Sequence, residues 1–443
     1  MLSALGTERK LYFLFPIILF IGHTSFCQEN TPWSRYGIGD PVHSANIVNR
    51  GMGYVAAAYN DQQTINFVNP ASYSRLGKQK AILDLGVDFS SRNLNNESEK
   101  ARFSYVYVPY VAGGFQLKGE KRKRDWGIAF GLKPISRVNY NIETNSKIGT
   151  DNIIYNYEGN GGAYQAFAGT GIGFKNFSIG VNAGYRFGSK DYTTRISMLN
   201  DTVSGRYTSG QKEVKNNFGG IFSEIGIQYE KTISEKEMLT FGAFGSLASS
   251  MSLRSEENIS TFFQSGELAS SIPIDSVSAK TESGGSIIYP SYFGFGFMYD
   301  REAKSRLSVG ADFTFQNWKQ YKINNKQDLL TDAWQIKAGV QWVPRTKSAS
   351  GKVKTIMIYR AGGFYCQEPF MLNGNITSYG FTLGTSIPIK KYSYAEYNRN
   401  NVIHLAVEMG KRGNATSIIT ENYLRIAMSA SLSDIWFIKS KYD

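Results

Sequence analysis

From about residue 80 onward, apolar and polar side chains alternate with a period of two in one segment after another. Trp126, Ile128, Phe130 and Leu132 alternate with Gly127, Ala129 and Gly131, while Leu83, Leu85, Val87 and Phe89 alternate with Asp84, Gly86 and Asp88. The same rule holds from Phe177 to Phe187, from Leu307 to Phe315, from Trp334 to Trp342 and from Ile403 to Met409. Successive side chains of a strand point to opposite faces, so this period describes a sheet with one apolar and one polar side. It predicts strands near residues 80–90, 102–118, 125–138, 162–174, 177–195, 216–230, 238–254, 288–300, 306–318, 333–343, 354–366, 376–389, 401–411 and 420–437. That is about fourteen, an even number, as in closed bacterial outer-membrane barrels. The fold class that follows is all-β, a closed antiparallel transmembrane β-barrel.

The connections supply an independent test, because such barrels join short periplasmic turns to longer extracellular loops. Short links fall at Lys175–Asn176, Lys231–Glu237 and Arg301–Ser305, and long ones at about 139–161, 196–215, 255–287 and 319–332. If the first strand rises from the periplasm, every long loop lies outside the cell. The short-link side gathers Arg124, Arg301, Lys304, Arg345, Lys390 and Lys391, so part of the formal charge of +13 belongs to one solvated rim beside outer-membrane lipid headgroups. The basic residues form no single helix or patch, and no nucleic-acid partner is implied.

The first 78 residues break the alternation. Arg9 and Lys10 precede an apolar run from Leu11 to Ile21, followed by Ser25, Phe26, Cys27 and Gln28, the layout of a secretory signal peptide over residues 1–27. A lipid anchor on Cys27 would call for a small residue where Phe26 stands. Residues 28–78 carry little charge and several apolar groups. They are predicted to fold as a hatch inside the lumen, where irregular backbone meets protein and water rather than lipid. Residues 79–443 form the wall. No later apolar run approaches the roughly 18 residues of a spanning helix, and aromatics at 14% with 45 glycines suit strands with aromatic girdles and tight turns.

Charged residues on the polar side of the alternation must face the lumen, since an Arg or Lys facing lipid at the midplane costs roughly 2–4 kcal/mol. Asp84, Asp88, Arg186, Glu224, Asp312, Lys337, His404, Glu408 and Arg425 fall there, and Arg360, in a strand of ambiguous period, is placed inward on cost alone. They either pair with one another and with the hatch or line a solute route. Two histidines and Cys366 remain after signal removal, with no zinc-ligand spacing. Neither a metal nor another cofactor is expected, and no catalytic residue is assigned: His404 lies beside Glu408 without a serine nucleophile or oxyanion hole apparent nearby. Gly169, Gly171 and Gly173 lie within a strand with no helix to follow, which points to close packing in the lumen and not to a nucleotide loop.

Further residues carry a family resemblance. Asn69-Pro70-Ala71-Ser72 ahead of the first strand, Tyr157-Glu158-Gly159-Asn160-Gly161-Gly162 opening the fourth, Asp312 followed by Trp318, and Tyr359-Arg360-Ala361-Gly362 leading through Pro369 to Asn373-Gly374 resemble the FadL-type family of outer-membrane transport proteins. The resemblance implies a fourteen-stranded barrel with an N-terminal hatch, a Gram-negative outer-membrane location, and passive, lateral passage of a hydrophobic small molecule. By position, Asn69, Pro70 and Ala71 correspond to the hatch motif. Some FadL-like barrels serve instead as non-transporting subunits of a protein-secretion translocon, notably the type IX system. The implied partners are therefore outer-membrane lipid and lipopolysaccharide, a hydrophobic ligand, or a secretion complex. The final strand, ending in Ile435-Trp436-Phe437, resembles the signal read by the barrel-assembly machinery.

Overall fold

The computed structural model describes residues 31–435, apart from residues 44, 78–79, 97–99, 118–123, 149–150, 199–208, 266–269, 348–352, 356, 372–373, 391–399 and 415–416. The signal peptide with Cys27, and Trp436 and Phe437, lie outside the described residues. Fourteen antiparallel strands close into a barrel. They are β1 (Lys80–Asn95), β2 in two pieces (Lys100–Tyr107 and Val111–Gln116), β3 (Asp125–Ile148), β4 (Asp151–Phe174), β5 (Phe177–Met198) and β6 (Ser209–Ser234). Then come β7 (Glu237–Ser246 and Ser249–Ser265), β8 (Ser270–Tyr289 and Tyr292–Glu302), β9 (Arg306–Gln316), β10 (Ala333–Val343), β11 (Ile358–Met371), β12 (Asn375–Lys390), β13 (Asn400–Arg412) and β14 (Thr420–Ile435). The ring closes where β1 pairs with β14, from Lys80 opposite Ile435 to Asn95 opposite Thr420.

The alternation sets which side meets lipid. Leu83, Leu85 and Val87 stand 39–46% exposed on the outside of β1, while Asp84 and Asp88 between them are fully buried on the lumen side. Phe293, Phe295 and Phe297 of β8 likewise face outward, the first two in tilted ring contact with Phe315 and Phe313 of β9. Among the described residues no helix is long and apolar enough to cross a membrane.

The predicted strand number holds, but three of the predicted long loops are corrected. Much of 139–161, 196–215 and 255–287 is strand: β3 and β4 run for 24 residues each and β6 for 26, against 11 for β9 and β10. A membrane crossing takes about 9–11 residues. The long-loop ends of β3–β8 therefore rise as a sheet beyond the bilayer on one side of the barrel. Above the membrane both faces meet water or protein, so the apolar alternation that marks a lipid-facing strand fades.

One seam of the wall is parted. Gly86 and Val87 of β1 oppose the three residues Val108, Pro109 and Tyr110 that interrupt β2, a bulge that redirects the strand. Below it, Val111–Gln116 pairs with both β1 and β3. Above it, Lys100–Tyr107 pairs as a strand with β1 alone, while β3 bulges at Ile135 and diverges.

Candidate functional site

Residues 31–43 and 45–77 fill the lumen from the long-loop end to the short-turn end. Near the top, the edge of β3 left by β2 is taken up by this hatch: Asp40 and Pro41 pair with Arg137 and Ser136. Val42 N donates to Ile135 O at 3.0 Å and Thr31 N to Asn139 O at 2.9 Å. An apolar cap closes the long-loop end, built from Trp33 and Ile38 of the hatch with Trp318, Tyr321, Leu330 and Phe370 of the wall and its loops.

Beneath the cap, Asp40 is buried between two guanidiniums, with Arg92 of β1 at 2.9 Å and Arg412 of β13 at 2.8 Å. Arg412 also reaches Glu368 of β11 at 3.2 Å, and Arg92 reaches Glu421 of β14 at 3.3 Å. Burial alone pushes the Asp40 carboxyl up, but Arg412 and Arg92 overcome that and hold it well below the usual carboxylate range.

One turn lower, a five-residue helix, Ile47–Gly51, starts at Asn46, whose side-chain oxygen accepts from Asn49 N. It carries Arg50 into an ion pair with Asp88 of β1 and to 3.5 Å from Glu408 of β13. Glu408 also accepts from Tyr54 Oη at 2.5 Å and pairs with Arg425 of β14 at 3.1 Å. On the opposite wall Asp312 of β9 accepts from the backbone of Ala56 at 2.6 Å and Ala57 at 2.8 Å. Tyr59 Oη donates to Gln341 of β10 at 2.9 Å, and Gln341 and Tyr59 both accept from Arg360 of β11.

At the bottom, Asn69 caps a 3-10 turn, Pro70–Arg75, through Ala71 N, and its amide donates to Ala57 O at 2.6 Å and Ile227 O at 3.2 Å. This corner lies so close to the wall that a Cβ at Gly226 would collide with the Asn69 side chain and one at Gly180 with the Pro70 backbone. Arg75 closes the level through Glu230 of β6 at 2.8 Å.

The structure thus places all ten sequence-selected wall residues on the lumen side. Asp88, Asp312, Arg360 and Glu408 touch the hatch directly. Asp84 accepts from Tyr110 at 3.2 Å, and Tyr110 in turn accepts from Ile47 N of the hatch. Arg425 acts through Glu408. His404 sits between Ser386 Oγ at 2.7 Å and Ser431 Oγ at 3.0 Å, so neighbouring strands do bring serines to it. Both are buried in the wall network, and Ser386 also accepts from Arg360 at 2.5 Å. Arg186 and Glu224 pair at 3.6 Å, and with Lys337 they line a space of about 170 Å³ between hatch and wall. Asp40, Arg92, Glu368, Arg412 and Glu421 were not singled out from sequence. For Arg92 and Arg412 the signal was present: they continue the inward parity of Asp84 and Asp88, and of His404 and Glu408. Among the described residues no cluster of histidine, cysteine or carboxylates could hold a metal ion.

Comparison with solved structures places the fold beside three barrels. A FadL homologue from Pseudomonas aeruginosa aligns with TM-score 0.56 at 12% identity, covering 89% of this chain and 99% of that one. The Ralstonia pickettii toluene transporter TbuX gives 0.55 at 14%, over 87% and 97%. The Pseudomonas putida toluene transporter TodX gives 0.52 at 16%, over 90% and 99%. At these identities the likeness is one of fold, a FadL-type barrel. No curated protein matches. The family model BamG matches residues 9–443.

Proposed function

We propose that this chain, which belongs to the BamG family, works as a hatch-sealed, non-transporting barrel subunit of an outer-membrane assembly, with the barrel-assembly machinery as the partner class. The family name, with its reference to that machinery, supports the partner. The observation that carries the sealed state is the ion-pair lattice. Asp40 and Arg50 tie the hatch to β1 and β13 at two heights, through Arg92 and Arg412 and through Asp88 and Glu408. Removing one partner of a buried pair costs roughly 3–5 kcal/mol because it strands the other charge. Withdrawing the hatch separates several such pairs at once. A space of about 170 Å³ between hatch and wall has Lys133, Arg186, Glu224, Asp312, Lys337 and Glu368 in its lining beside Phe244, Tyr289 and Trp318, so a hydrocarbon there would meet charged groups as well as aromatic rings.

Gentle detergent extraction of the full-length protein from outer membranes tests this reading. Co-purification with barrel-assembly components, together with a silent wild-type barrel in planar bilayers, is the expected result. A protein that purifies alone with a lipid-like molecule in its lumen would sink it. Deleting residues 28–74 is expected to give stable conductance, and a deletion variant as silent as the wild type would show that the hatch is no plug.

A second reading, passive passage of a hydrophobic small molecule, is favoured by one feature, the parted seam. There Tyr105 and Tyr107 flank Arg137 at 4.5 and 4.7 Å, beside the hatch residues Asp40–His43. It calls for uptake of an aromatic hydrocarbon into proteoliposomes that rises with the protein content.

A further inference from the structure

Along the outside of β5, Phe177, Ile179, Val181, Tyr185 and Phe187 give way to Ser189, Asp191, Thr193 and Arg195. On β6 the change runs from Ile225 and Ile221 to Asn217 and Lys215, and on β4 from Tyr164 to Asn160 and Glu158. Strand register puts these changeovers at one height, with Tyr164 opposite Phe187 and Phe187 opposite Gly219. That height marks the outer surface of the bilayer, where aromatic side chains collect.

An open groove of about 850 Å³ lies in the wall at this level. Its lower side is aromatic, with Phe187 stacked between Tyr164 and Tyr185 at centroid distances of 6.1 and 6.4 Å. Its upper side is polar and offers Asn160, Asp191, Asn217, Ser252 and Arg254. The depression exists because β4 passes through Gly161 and Gly162 at φ +125° and +146°, a backbone closed to other side chains, and because Gly219 carries no side chain, so that the Tyr185 ring lies down over it.

We propose that this groove binds one outer-leaflet glycolipid of the lipopolysaccharide class. The acyl chains lie on Tyr164, Tyr185 and Phe187, and the phosphorylated sugar headgroup sits in the polar half. The groove is continuous with the lipid-facing belt, so its occupant reaches it from the leaflet. At the upper rim Arg254, ion-paired with Glu256 at 2.9 Å, and Lys215, opposite both Asp191 and Glu256 in register, are the cations a phosphate would meet, and Asp191 is the one carboxylate in the lining. Above the groove the outer faces of β4–β6 continue for several residues as Asn156, Glu158, Thr193, Arg195, Gln211 and Glu213, a mix of amide, hydroxyl and charged groups, with Arg195 paired to Glu158 at 2.8 Å, that can hydrogen-bond sugars. A glycerophospholipid headgroup has nothing to place there. The site is independent of whether the lumen is sealed or conducting.

The test uses full-length protein extracted in mild detergent, with bound lipid read by native mass spectrometry after exposure to purified lipopolysaccharide or to phosphatidylethanolamine vesicles. Asn217→Trp and Ser252→Trp fill the groove from exposed positions, Leu383→Trp places the same bulk on the opposite wall, and heat-modifiable gel mobility verifies folding. Wild type and Leu383→Trp are expected to retain a glycolipid, with retention falling about tenfold or more in both groove variants. Equal retention in all four proteins would overturn the proposal, as would retention of phosphatidylethanolamine alone or capture of a protein at the groove. Orientation is read separately, by labelling Thr193→Cys on intact cells with a membrane-impermeant maleimide. Failure there would remove the site from the outer leaflet whatever the lumen does.

Discussion

At the scale of single residues, Asp40 is the position whose loss should be felt most. Its carboxylate is the only described anion that touches both Arg92 and Arg412 from the hatch side, and neither guanidinium can shed its proton to relieve the loss. Asp40→Asn should therefore destabilise the hatch by roughly 3–5 kcal/mol, read as a lower temperature of heat-modifiable unfolding and as intermittent conductance. An unchanged profile would mean that the hatch is held elsewhere. His43 adds a pH dependence. It lines the interior spaces near Tyr54 and Phe364, and Arg425, Lys337, Arg412 and Glu368 face it from β14, β10, β13 and β11. Burial, reinforced by these cations against the one carboxylate, lowers its pKa from 6.5 to about 3. A base with a depressed folded pKa binds more protons when unfolded, so the stability it contributes is complete above about pH 6.5 and is lost as pH falls toward 3. Asp40, also depressed, adds to the loss at the acid end of that window. His43→Phe should flatten the upper part of an acid titration of hatch stability, while leaving the Asp40 part in place. These hatch residues were beyond the reach of periodicity, because an irregular segment has no period. Arg92 and Arg412 were within it, since each lies four residues past a charge on the same inward face.

At the scale of elements, the sequence pattern reports lipid more than it reports strands. β9, β10 and β13, which extend little beyond the bilayer, were found to within about two residues. The prediction for β6 began seven residues late, at 216 instead of Ser209. Its extension, Gly210–Asn217, carries Lys212, Glu213 and Lys215 and pairs with Ile196–Ser189 of β5 through backbone hydrogen bonds that leave no hydropathy signature. The bulge at Val108–Tyr110 was equally invisible, although Pro109, which cannot donate to a ladder, was a cue to a break. The raised sheet yields a direct test. Single cysteines at Thr193 and Glu213, outward and above the changeover, should react with an impermeant maleimide on intact cells, whereas cysteines at Ile179 and Ile225, within the apolar belt, should be protected. Equal labelling at all four would place β5 and β6 differently in the membrane.

At the scale of the whole molecule, the question is whether the hatch moves. A FadL-type fold is common to the toluene transporters TbuX and TodX and to this BamG-family chain, so the fold cannot decide it, and the lumen has to. Here the hatch serves as a substitute strand: Pro41 lies opposite Ser136 in the position on β3 that the upper piece of β2 has vacated. A passage through the seam must lift Asp40–Val42 off β3, since these residues pair with β3 beside the gap at Tyr105 and Tyr107. A subunit that offers only its outer surfaces to a partner has no such need. The pair Pro41→Cys and Ser136→Cys turns the difference into a measurement, because residues opposed across a ladder stand close enough for a disulfide. The sealed-subunit reading expects the bond to form readily on oxidation and to leave co-purification with assembly components unchanged. Passage of a hydrophobic molecule expects hydrocarbon uptake by the reduced protein that stops when the bond closes and returns with reductant. Uptake gated in that way would overturn the sealed reading, whatever else co-purifies, since it would require the buried ion pairs around Asp40 to open and re-form in each cycle.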